Sequence, residues 1–177
     1  MFGQRGADKM SFLNNIIIPN DGVANIRLGD NINIMFNKLD KLGYEISDIS
    51  DNCLKIKESF IDIYFNPVNY KISLISCGIN FAGSYKTSKG YIKAGMTVAD
   101  ILQNTTEQVA WGGFVMVDGI CGIGFPLPEE FDDFSKLTDF LDYDFIFEEL
   151  SVYKDINANN SRKNRRGRQR AGRHRWD

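Results

Sequence analysis

Apolar residues recur at helical spacing in two stretches of this chain. Ile32, Met35, Phe36 and Leu39 form one series, and Val98, Ile101 and Leu102 form the other. Steps of three and four place each set on one side of a helix, where it can be buried. A similar block precedes each series: Ile26-Arg27-Leu28-Gly29-Asp30-Asn31-Ile32 and Ile92-Lys93-Ala94-Gly95-Met96-Thr97-Val98. Gly29 and Gly95 permit a sharp entry into the helix. Thr97 is expected to cap the second helix, with Asp100 three residues on completing a variant of the capping box. Asp30 or Asn31 is expected to cap the first. Lys38, Lys41 and Gly43 then supply a favourable charge and a flexible stop at its end.

The remaining body alternates with a period of two. Leu54, Ile56 and Glu58 alternate with Lys55 and Lys57, and residues 61–65 are rich in β-formers. Asn66-Pro67-Val68-Asn69 supplies a turn. Tyr70, Ile72, Leu74 and Ser76 then stand against Lys71, Ser73 and Ile75, which predicts an antiparallel meander. After the second helix, 113–117 and 120–125 read as buried strands joined at Asp118-Gly119, a tight-turn dipeptide. Phe131, Phe134, Leu137, Phe140 and Leu141 predict a short amphipathic helix within 129–144. Residues 144–153 predict a last strand, with Phe145, Phe147, Leu150 and Val152 inward and a bulge at Glu148-Glu149. The order is α-β-β-β, then α-β-β-α-β. It predicts an α+β fold with helices packed on one face of a mainly antiparallel sheet, in two imperfect helix-plus-strands repeats, 23–85 and 89–155.

Composition fits one domain: 177 residues, 43% hydrophobic and 25% charged. The net charge of −2 conceals a division. Residues 1–155 carry 13 Lys+Arg against 22 Asp+Glu, and residues 156–177 carry 8 against 1. The expected organisation is a poorly ordered start (1–11), an acidic α+β body (12–155) and a basic disordered tail (156–177). Cys53, Cys77 and Cys121 are widely spaced among apolar residues, which predicts buried thiols in a reducing compartment. Neither a signal peptide nor an apolar run long enough to span a bilayer is visible, so a cytoplasmic protein without membrane contact is expected.

The only histidine, His174, stands in the basic tail. The body therefore has no His for a Ser-His-Asp, Cys-His or His-metal arrangement. The spacings of the nucleophile elbow, the zincin helix, the phosphate loop and the EF-hand are all missing. Carboxylate or Mg²⁺ chemistry stays open through Asp118, Glu129, Glu130, Asp132 and Asp133. Asp118 also fits a plain turn residue. The Arg-rich tail leaves phosphate neutralisation open, and nucleic acid would be met only through it. No catalytic residue, cofactor or metal is assigned.

Between Glu129 and Glu149 lie nine acids and one base, Lys136. Such density fits a solvated face, or an acidic surface made for a basic partner. Tyr143, between Asp142 and Asp144, is the aromatic most expected to stay exposed. The paired helix starts, each followed by strands, resemble the tandem helix-plus-sheet repeats of BLIP-like proteins over about residues 23–125. The run from Val117-Asp118-Gly119-Ile120 to Leu127-Pro128-Glu129-Glu130 resembles small bacterial immunity proteins of contact-dependent and other polymorphic toxin systems. That resemblance implies a cytoplasmic inhibitor that binds a cognate toxin domain, often a nuclease, and occludes its basic channel. The expected contact residues, taken from charge density, are Glu129, Glu130, Asp132, Asp133, Asp139, Asp142, Tyr143 and Asp144.

Overall fold

Both glycine-led helices form where the spacing predicts them. The computed structural model describes residues 9, 11–131 and 136–155. Helix α1 spans Ile32–Lys41 and buries Ile32, Met35 and Leu39. Its cap is Asn31, not Asp30: the Asn31 side chain accepts from the Asn33 and Ile34 amides. Helix α2 spans Val98–Asn104 and buries Val98 and Ile101. There the capping box is complete, with Thr97 accepting from the Asp100 amide and Asp100 from the Thr97 amide. Gly29 and Gly95 sit at φ 91° and 85°, a region that β-carbons disfavour, which is why glycine leads each helix.

Most of the chain is antiparallel sheet. Strands β1 (Ile17–Ile18), β2 (Gly22–Val23) and β3 (Ile26–Arg27) make a small sheet ahead of α1. A meander follows it: β4 (Ile46–Ile49), β5 (Cys53–Ile56), β6 (Ile61–Phe65) and β7 (Ile72–Gly78). The hairpin of β8 (Tyr85–Lys86) and β9 (Tyr91–Ile92) leads to β10 (Met96–Thr97) and α2. A second meander comprises β11 (Gln108–Trp111), β12 (Phe114–Val117) and β13 (Ile123–Pro126). A 3₁₀ turn, η1 (Leu137–Asp139), precedes β14 (Ile146–Phe147) and β15 (Glu149–Tyr153). The main sheet has the order β11-β12-β13-β15-β7-β6-β5-β4, so the last strand lies between the two meanders. The fold is α+β and dominated by its sheet. Among the described residues, no helix is long and apolar enough to cross a membrane.

One face of this sheet carries Leu54, Ile56, Ile61, Ile63, Ile75, Cys77, Leu150, Val152, Ile123, Phe125, Val115 and Val117, each at most 1% exposed. They share one core cluster with the buried residues of both helices.

Several expectations change at this level. In β7 the register shifts between Tyr64↔Leu74 and Phe65↔Ile72, leaving Ser73 as the extra residue. A bulge reverses the alternation, so Ile72 faces the core together with Ile75 and Cys77, and not with Leu74 and Ser76. The helix expected within 129–144 is reduced, among the described residues, to η1. Leu137 and Leu141 are buried, but Phe140 is 59% exposed. Like charges at helical spacing oppose a longer helix there, and Asp is a weak helix former. The last strand divides where the bulge was expected: β14 pairs with β10, and β15 with β7 and β13. Cys53 and Cys77 are buried, but Cys121 is exposed, because it stands in the connection from β12 to β13.

Candidate functional site

The acidic stretch is held from behind by its apolar residues. Leu137 and Leu141 anchor it in the core. The Ala99 amide donates to the Tyr143 carbonyl at 3.0 Å, and the Val98 amide to the Phe145 carbonyl at 3.0 Å. Pairing of β10 with β14 then fixes residues 146–147. Between these anchors Phe140, Tyr143 and Ile146 are 59%, 64% and 48% exposed. Asp139, Asp142, Asp144 and Glu148 are exposed beside them, as are Glu129 and Glu130 upstream. Among the described residues, none of these carboxylates has a Lys or Arg nitrogen within 4 Å. Asp132 and Asp133 lie outside the described residues, as does the basic segment 156–177. Of the acids counted by sequence, Glu149 serves the sheet instead, since its Oε2 accepts from Ser76 Oγ at 2.6 Å.

Asp118 is a structural carboxylate. Asp118 and Gly119 both have positive φ, 52° and 64°, and the Ile120 amide donates to the Val117 carbonyl, which makes the expected tight turn. Regular pairing with β13 resumes only at Phe125 and Pro126, so the connection is longer than a two-residue hairpin. Asp118 Oδ1 accepts from the Thr106 and Glu107 amides at 2.6 and 3.0 Å. Oδ2 accepts from Ser88 Oγ at 2.6 Å and the Ser88 amide at 3.3 Å. The carboxylate thus ties the loop between β8 and β9 to the second meander. Partial burial pushes its pKa up, but the donors of Ser88, Glu107 and Thr106 outweigh this and hold it below the ordinary carboxylate range.

Replacing Asp118 by alanine is expected to cost about 1–2 kcal/mol, read as a lowered denaturation midpoint. The folded-state pKa is depressed, so this stabilisation is complete above the unfolded value of about 4 and is lost as pH falls through the folded one. The stability gap between wild type and Asp118→Asn is therefore expected to close below about pH 4. A gap that stayed constant down to about pH 2 would show that the charge plays no part.

A second feature lies on the sheet face turned away from the core. Phe114 and Tyr153 stack with centroids 4.4 Å apart. Gly124, on the strand between them, makes this possible. A β-carbon there would stand 2.9 Å from the Val115 carbonyl oxygen, 3.2 Å from Phe114 Cβ and 3.4 Å from Tyr153 Oη, so the first of these already excludes a larger residue. Among the described residues the buried Tyr153 Oη has no hydrogen-bond partner, and burial pushes the phenol pKa up to about 12. Beside this pair opens a cleft of about 540 Å³ with Val109, Trp111, Met116 and Ile120 in its walls. Further along the same face, Ser151 Oγ donates to Ser76 Oγ, which donates to Glu149, so these buried hydroxyls are satisfied. Among the described residues no three His, Cys, Asp or Glu side chains gather to hold a metal ion.

The cleft is not anticipated from sequence. Its signal is present in Gln108-Val109-Ala110-Trp111-Gly112-Gly113-Phe114: two alternating runs about a two-residue glycine turn. A scan of protein-family models finds none that matches the chain, and searches of curated proteins and of solved structures find no match either.

Proposed function

We propose that this protein is a binding module that neutralises a cognate bacterial toxin domain, in the manner of a small immunity protein, without performing a reaction. One observation carries this reading. Exposed Phe140, Tyr143 and Ile146 alternate with exposed Asp139, Asp142 and Asp144 on a segment anchored by buried Leu137 and Leu141. A merely solvated face has no use for three large apolar side chains in water, whereas an interface uses them as anchors. The carboxylates, with Glu129, Glu130, Asp132 and Asp133, would meet the basic substrate channel of a nuclease, speed encounter and block the phosphate path. The setting would be the cytoplasm. The same reading keeps the two glycine-led helices on one face of the sheet, as imperfect repeats of a helix-plus-strands unit.

The test is co-expression with a nuclease domain encoded beside this gene. Wild type is expected to restore growth and to co-purify with the nuclease. Failure of both would overturn the reading.

A further inference from the structure

Solvent-facing positions of an antiparallel sheet are ordinarily polar. Here β11 and β12 break that rule on the outer side. Their outward residues Val109, Trp111, Phe114 and Met116 are apolar, and they wall the cleft. Its volume, about 540 Å³, falls within the range of about 300–1,000 Å³ usual for small-molecule sites. The charges in the lining are of mixed sign: Glu107 and Lys154 are exposed, and Asp155 is partly buried. Such a lining favours an apolar occupant without net charge. None of the described residues proposed above to meet a toxin takes part in it.

Tyr153 adds a requirement of its own. It lines the cleft, and among the described residues its buried hydroxyl has no hydrogen-bond partner. An unpaired buried donor costs stability, and phenylalanine would fill the same space without that cost. An acceptor arriving from outside gives the hydroxyl a use. The ring stacked on it, Phe114, directly follows the Gly112-Gly113 turn, where added β-carbons would meet nothing within 4 Å. This turn has room to shift and admit the acceptor. We propose that the cleft binds a flat, uncharged aromatic small molecule carrying one hydrogen-bond acceptor, to which Tyr153 Oη donates. Its ring lies against the outward apolar side chains of β11 and β12, where stacking and area burial hold it. This site stands or falls apart from the toxin reading.

The probes are indan-1-one, indane and 2-aminoindane: one flat ring system with a carbonyl acceptor, without it, and with a cationic amine instead. Binding to the full chain is followed by the indole N–H signal of Trp111, assigned with Trp176→Phe, and by the methyl signal of Met116. Indan-1-one is expected to bind about fivefold more tightly than indane, the worth of one modest hydrogen bond, and more tightly than the amine. Tyr153→Phe is expected to erase the preference for the carbonyl and, with no probe present, to raise the midpoint of urea unfolding. Met116→Lys, which puts a charge in the apolar wall, is expected to abolish the Trp111 shift with indan-1-one while keeping the wild-type circular dichroism. Equal affinity for indan-1-one and indane would overturn the proposal, as would no binding at all or tightest binding of the amine. A lower midpoint for Tyr153→Phe would show that the hydroxyl already has a partner, and would overturn it as well.

Discussion

Alanine in place of Phe125 is expected to cost about 3–5 kcal/mol of folding free energy. The ring is fully buried on β13. It packs against Phe147 at 5.1 Å, and Phe147 packs edge-on against Phe145 at 5.1 Å. These three rings join the main sheet to the segment that carries the acidic surface. Removing the first deletes the transfer energy of a phenyl group, leaves a cavity and abolishes the aromatic pairing. A domain of this size holds only about 5–15 kcal/mol of stability in total. The midpoint of urea unfolding should therefore fall sharply, with the slope unchanged. A loss under about 1 kcal/mol would mean that the core around Phe147 is loosely packed.

If the proposed function holds, replacing Asp139, Asp142 and Asp144 together by lysine is expected to weaken binding of the proposed toxin partner by about a hundredfold or more. Among the described residues no Lys or Arg nitrogen lies within 4 Å of these carboxylates, so reversal removes attraction and adds repulsion without breaking an internal ion pair. The stability of the free protein should change little. Most of the loss should appear in the association rate and should shrink as salt is raised. Tyr143→Ala should act differently, speeding dissociation with little salt dependence. Charge reversal with unchanged affinity would show that the acidic surface takes no part in binding.

What the sequence announced, and what it hid, follows the range of the interactions involved. The helix starts were legible because their causes are local: glycine at positive φ and a side chain that reaches an amide two or three residues away. The Asp118-Gly119 turn was legible for the same reason. The parity change in β7 was not, since Ser73 bulges only in relation to its partner strand. The four bonds to Asp118 come from residues 11 to 30 positions away, so its structural role was one of two readings left open. Exposure of Tyr143 was anticipated from its acidic neighbours. That of Phe140 was not, because helical spacing from Leu137 and Leu141 implied a helix that the repeated acids prevent. The cleft requires β11, β12 and β15 to be brought together, which no short window of residues reveals.

The place of β15 has a consequence for how the chain is made. Ser151 meets Ser76 across 75 residues, and among the described strands β15 alone bridges the two meanders. While the polypeptide emerges from the ribosome, β7 and β13 each wait with one side unpaired. The halves can be zipped together only after nearly the whole body has been synthesised. Non-local closure of this kind is slow, and waiting strand edges invite association between nascent chains. Crowding or overexpression should therefore threaten this protein most before its birth is complete.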